Sequence, residues 1–172
     1  MMLISEGYKE LLRKHREVQP MWGAGGKRHI PKIQKLVDEH HFESVLDYGC
    51  GHGVILQYLQ APLKAGYDPG MPEYANTPEL PFDMVISTDV LEHIEPELLD
   101  NVLDHIQSLT RRFAYLCVCC REARHILPDG RNAHLIVEDE NWWLDKLLEH
   151  FHTVDIGWRK PRGATVTFYA TP

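Results

Sequence analysis

The sequence predicts an α/β fold built on a mostly parallel sheet, and three observations carry this. From Ser44 onward, short apolar runs alternate with helix-length amphipathic segments, the pattern of a parallel sheet covered on both faces. Ser44-Val45-Leu46-Asp47-Tyr48-Gly49-Cys50-Gly51-His52-Gly53 runs from a buried strand through a glycine-rich turn into a helix. A Rossmann-like sheet presents its backbone to a nucleotide-bearing ligand in this way. Only Arg159-Lys160-Pro161-Arg162-Gly163 separates the last two strands. So short a link favours a hairpin, so one of the two strands runs antiparallel.

The elements follow in order. Glu6–Val18 reads as an amphipathic helix with Leu11, Leu12 and Val18 on one side. Pro20 and three glycines break the chain over 19–26. A second helix is expected from about Lys27 to His40, with Pro31 near its first turn and Ile33, Leu36 and Val37 facing inward. Strands are expected at Ser44–Tyr48, Lys64–Tyr67, Asp83–Ser87, Phe113–Cys120, Thr153–Trp158 and Ala164–Tyr169. Helices are expected from near Gly53, from about Pro96 to Leu109, and from Glu140 to His150, with a long loop over Arg121–Glu138.

At 172 residues the chain suits one domain, with a helical lid over residues 1–42 and a Rossmann-like core over 43–172. No apolar run approaches the ~20 residues of a membrane span, and no basic-then-apolar leader opens the chain. A cytoplasmic protein with no membrane contact is therefore expected, its oligomeric state left open. The cysteines agree. Cys50 sits in the glycine turn, while Cys117, Cys119 and Cys120 lie along one strand, where neighbours point to opposite faces and make no compact zinc site by themselves. Reduced thiols and no metal are the expectation.

The net charge of −7 speaks against nucleic acid as a partner. The charge is blocked: 9–32 and 111–131 are basic, and 73–104 carries no Lys or Arg. The basic blocks suit an acidic group on a small substrate as well as they suit solvent.

Three motifs carry the chemistry. Asp47 stands two residues before the first glycine of Gly49-Cys50-Gly51-His52-Gly53. An anion there repels a pyrophosphate and attracts an ammonium group. Asp68 ends the next strand, placed to accept two hydrogen bonds from vicinal ribose hydroxyls. Phe82 to Ile94 forms a third strand and turn with Asp89, Val90 and His93 at its carboxyl end.

VLDYGCGHG resembles the first motif of class I S-adenosylmethionine-dependent methyltransferases, and Asp68 and the Phe82–Ile94 run resemble the second acidic motif and the fourth-strand motif of the small-molecule branch. The resemblance implies S-adenosylmethionine as cofactor, S-adenosylhomocysteine as product and a small-molecule, sugar or metabolite acceptor methylated on O or N. It implies cofactor contacts from Asp47, Tyr48, Gly49, Cys50, Gly51, Asp68, Pro69, Met71, Thr88, Asp89 and Val90. Tyr74 is a further candidate for the adenine wall. Trp22 would cover the site, and Lys27 or Arg28 would meet the methionine carboxylate. Where the family usually places a helix, a strand and a second helix, this chain has only about fourteen residues between Asp68 and Asp83, with four prolines. The third strand is therefore expected to be reduced or missing, leaving a sheet ordered 2-1-4-5-7-6 in the family's labelling.

On the acceptor side, His93 and His134 are the candidate bases, and Arg131 the candidate partner for an acidic substrate group. Trp142 and Trp143 read as packing residues. No Asn-Pro-Pro-Tyr type motif and no Pro-Cys dipeptide occurs, which argues against methylation of nucleic-acid bases. Two other readings stand. Asp89, Glu92, His93 and His134 loosely resemble the metal set of RNA 3′-terminal 2′-O-methyltransferases, and the shortened fold also suits a catalytically silent cofactor-binding module.

Overall fold

The computed structural model describes residues 1–19, 21–22, 25–159 and 165–172. Pro20, Gly23 and Ala24 of the expected break, Lys160 to Gly163 of the hairpin link, and Ala164 at the expected start of the last strand lie outside the described residues.

The chain runs α1 (Glu6–Val18), a 3-10 turn (Gly25–His29), α2 (Ile30–His40), β1 (Ser44–Tyr48), α3 (Val54–Tyr58), β2 (Leu63–Tyr67), β3 (Phe82–Thr88), α4 (Leu99–Leu109), β4 (Thr110–Cys119), α5 (Glu140–Leu148), β5 (Thr153–Arg159) and β6 (Thr165–Thr171). The six strands form one sheet in the order β2-β1-β3-β4-β6-β5. The first four pair in parallel, and β6 pairs antiparallel with both β4 and β5. This is the expected order, with β2 at the edge. Between β2 and β3 the chain makes only the 3-10 turn Pro72–Tyr74, because its prolines remove the donors and fix the φ angles that a helix or strand would need.

Several boundaries differ from expectation: β4 already begins at Thr110, β6 runs on to Thr171, α5 stops at Leu148, and two helices open on tighter turns. Residues 25–29 wind as a tighter turn before α2 begins at Ile30, and Pro96–Leu98 does the same before α4. In each case a proline stands at the opening of the second or first segment, where its missing N–H costs least.

Alternation along the strands separates two cores. Leu46, Val85, Leu116 and Phe168 face α4 and α5, meeting Leu103, Ile106, Trp143 and Leu147. Their neighbours Val45, Met84, Ile86 and Tyr115 face the other way, against Ile33 and Val37 of α2 and Ile55 of α3. Trp143 is fully buried, as its packing role requires. α1 belongs to neither core. Tyr8 and Leu12 pack on Leu127 and Ala133 of the long loop, so α1 lies over the carboxyl ends of the strands. Ser5 fixes this position: its hydroxyl caps α1 at Tyr8 N, and both its N–H and its hydroxyl donate to Glu95, at 2.8 and 2.6 Å. Among the described residues no helix is long and apolar enough to cross a membrane.

Candidate cofactor and acceptor site

The glycine turn is sewn to β2. Gly49 and Cys50 both donate to Tyr67 O, at 2.6 and 3.1 Å. Gly49, Gly51 and Gly53 all have positive φ. At Gly49 the need for glycine is double: φ is 78°, and a Cβ would lie 2.6 Å from Val90 Cγ1. Asp89 also has positive φ, 55°, uncommon for a residue with a side chain. This backbone turns the chain sharply at the end of β3 and aims Asp89 and Val90 across the glycine turn.

A cavity opens over these strand ends. One end is walled by Asp47, Gly49, Gly51, Asp68, Pro69 and Asp89, with Tyr48, Cys50, Thr88 and Val90 also on its lining. The other end is walled by Leu3, Ile4, Tyr8 and Leu12 of the amino-terminal segment, with Trp22 and His93. Thus ten of the eleven expected cofactor contacts share one cavity with His93. Met71 does not line it. Asp68 N donates to Tyr74 O, which folds the 3-10 turn back beside β2, and the Tyr74 ring then packs against Gly53 and Gly66 outside the cavity.

The two carboxylates differ. Asp68 accepts from Gly51 N at 3.0 Å and Gly70 N at 2.9 Å, and Arg16 of α1 lies 3.4 Å from both its oxygens. Asp47 is buried, and burial together with the charge of Asp68 pushes its carboxyl up to about 7. Arg28 pairs with Asp89, while Lys27 turns away over the Tyr58 ring. Burial drives the Cys50 thiol well above its usual range, so it is no nucleophile.

His93 sits in the turn after β3. Its Nδ1 donates to Ala133 O at 2.6 Å, which leaves Nε2 as an acceptor. Trp22 stands edge-on to it at 5.4 Å and His134 at 4.7 Å. Burial, and then His134, hold its imidazole down to about 3, so it is neutral at physiological pH. His134 touches His93 but is not on the cavity wall, since its Nδ1 is bound to Arg121 O at 2.5 Å. Arg131 is also off the wall: its guanidinium is taken by Asp129, 2.7 Å away, and lies over the Tyr8 ring. Composition drew attention to the loop, but its polar side chains mostly bind the loop itself.

Leu3, Ile4, Tyr8, Leu12 and Arg16 were not anticipated as wall residues. Tyr8 and Leu12 repeat as a packed helix face does, Leu3 and Ile4 precede the helix, and nothing in that pattern names the residues that line a cavity. Of the proposed metal set, Asp89 groups instead with His29 and Cys117, while Glu92 and His134 group with Cys119.

The sequence matches the methyltransferase-domain family over residues 12–161. The chain belongs to that family, and with it to the class I S-adenosylmethionine-dependent methyltransferases. No curated protein sequence matches it. Among solved structures it is similar to DhpI in complex with SAH, with 14% identity over 98% of each chain and a TM-score of 0.67. It is also similar to the Burkholderia thailandensis 1,6-didemethyltoxoflavin-N1-methyltransferase with bound 1,6-didemethyltoxoflavin and S-adenosylhomocysteine, with 15% identity, 100% of this chain, 92% of that one and a TM-score of 0.63. A third likeness is to the methyltransferase domain of a bacterial Hen1, with 13% identity, 86% of this chain, 99% of that one and a TM-score of 0.60.

Proposed function

We propose that this protein transfers a methyl group from S-adenosylmethionine to an O or N atom of a small, largely apolar acceptor enclosed beneath α1. The continuous cavity carries this reading. Its polar, carboxylate-bearing end meets the glycine turn, and its other end is roofed by Leu3, Ile4, Leu12 and Trp22. The polar end suits the cofactor. Asp47 offers a buried carboxylate to the ammonium of the methionine moiety, Asp68 offers acceptors to the ribose hydroxyls, and the bare glycines admit the ligand close to the backbone. When bound, the cofactor supplies a methyl carbon activated by its sulfonium.

The chain's own groups do the rest. The apolar roof excludes water and holds the acceptor in line. His93, which lines that space as a neutral imidazole, is the acceptor proposed to orient the O–H or N–H of the substrate, so that the attacking lone pair points at the cofactor end. One liganded relative favours a small acceptor: its structure holds the small heterocycle 1,6-didemethyltoxoflavin beside S-adenosylhomocysteine. A net charge of −7 and an apolar roof suit an RNA end poorly. The test is calorimetry with S-adenosylmethionine, followed by release of S-adenosylhomocysteine across a panel of small hydroxy- and amino-heteroaromatic acceptors. Failure to bind S-adenosylmethionine would overturn the reading, and binding without turnover on any acceptor would point to the silent module.

A further inference from the structure

Behind the cavity wall lies a second group of side chains that the methyl-transfer chemistry does not use. Glu92 is fully buried at the end of the β3 turn. One of its oxygens accepts from Cys119 N at 2.9 Å, and the other, Oε2, is buried without a partner. A buried carboxylate oxygen with nothing to accept from is costly, and such an atom calls for a cation or a proton. Cys119, the last residue of β4, and His134, in the long loop, face it. A carboxylate oxygen, the Cys119 sulfur and a His134 ring nitrogen all lie within 4.8 Å of one another.

The histidine is already set as a ligand. His134 Nδ1 donates to Arg121 O, which fixes the tautomer and leaves the lone pair on Nε2. Histidines bound to metals are held in this way, by a backbone carbonyl on the far nitrogen.

We propose that Glu92, Cys119 and His134 bind one zinc(II) ion, which ties the loop 121–138 to the ends of β3 and β4.

The donor set selects the metal. A thiolate disfavours magnesium and calcium, while mixed S, N and O donors in a compact set suit tetrahedral zinc. Carboxylate and thiolate together neutralise the divalent charge, which a buried site requires. On binding, the thiol proton leaves to solvent. Ligand atoms around tetrahedral zinc lie roughly 3.3–3.7 Å apart, so the three need close by no more than about 1.5 Å. Cys119 and His134 are only half-buried and have room to do so. None of the three lines the acceptor cavity, so the ion holds structure rather than substrate. It would act on the site only through His93, whose ring rests on His134 and whose Nδ1 binds the neighbouring Ala133.

The experiment uses the untagged full chain, stripped with chelator and titrated with cobalt(II) or zinc(II) alone. One equivalent of cobalt should bind, with a thiolate-to-cobalt charge-transfer band in the near ultraviolet that zinc abolishes. Cys119→Ser should lose the band, and His134→Gln should weaken binding at least about tenfold. His150→Gln, which removes the exposed Asp100–Glu149–His150 group, should change neither. Zinc should also slow hydrogen exchange over 121–138 in the wild type but not in His134→Gln, a comparison that holds even if Cys119→Ser folds poorly. Absence of a thiolate band, its persistence in folded Cys119→Ser, or binding lost only in His150→Gln would overturn the proposal.

Discussion

Arg16 on the first helix reaches across the cavity mouth to Asp68 at the end of β2, its guanidinium 3.4 Å from both carboxylate oxygens, while its other nitrogen donates to Gly70 O at 2.7 Å. Both side chains are largely shielded, at 15% and 10% exposure, so the pair is more than a surface contact. The carboxylate proposed for the cofactor ribose thus already holds the first helix. The same group serves both, and ribose hydroxyls must share it with Arg16.

Replacing Asp68 with Ala should lower affinity for S-adenosylmethionine at least about tenfold, since charge-assisted hydrogen bonds contribute about 1.5–3 kcal/mol each. Calorimetry on a variant with unchanged circular dichroism checks this. Unchanged affinity in a folded variant would remove Asp68 from the ribose contact.

Affinity for S-adenosylmethionine should rise with pH between about 5 and 7 and then level off. Asp47, held up to about 7, is protonated at the lower end and offers the ammonium no charge. The cofactor pairs with the ionised form, so binding releases a proton in this range. For the free protein the sign is opposite: the folded state holds this proton more tightly than the unfolded chain, so stability contributed by Asp47 falls as pH rises from about 4 to 7. Asp47→Asn should bind more weakly at pH 7 and show no such rise. Isothermal titration in buffers of different ionisation enthalpy measures both the affinity and the proton count.

Gly49→Ala should cost at least about 2 kcal/mol of stability, combining a left-handed backbone with the close approach of Val90. Denaturant unfolding checks the loss. Adding Val90→Ala should recover part of it and not the whole, because the backbone contribution has no remedy in a neighbour.

His93→Gln should lower turnover by roughly 10²–10⁴-fold while leaving cofactor affinity nearly constant. Because its imidazole is held down to about 3, the wild-type rate should show no inflection between about pH 5 and 8 that disappears in this variant. An inflection lost with His93 would mean that the ring takes up a proton in that range.

The sheet was readable because its strands are short, apolar and flanked by glycine and proline, and Ser44–Tyr48 in particular is buried along its whole length. The missing third strand was readable from the prolines between Pro69 and Pro81. The polar end of the cavity was readable because Asp47 and Asp68 sit at strand ends fixed by the glycine turn. The roof was not. Tyr8 and Leu12 repeat as any buried helix face does, and Arg16 meets an acid 52 positions away, a pairing that local pattern does not encode. Arg131 and His134 had the right chemistry for a site, but Asp129 and Arg121 O engage them within the loop.

The lost third strand has a consequence for how this chain lives among its copies. In a sheet with that strand, β2 would be interior; here it is the edge strand, and among the described residues no strand pairs with its outer side, the side a second molecule would have to extend. The chain keeps that row short and uninviting. Only Leu63–Tyr67 is extended, Pro62 and Pro69 bracket it, and the exposed Lys64 is tied by its ammonium to Leu56 O and Leu59 O, both at 2.8 Å. A guest strand would meet a charge and would run out of partners within five residues. Economy of sequence on that side of the fold therefore goes together with protection against strand-to-strand association.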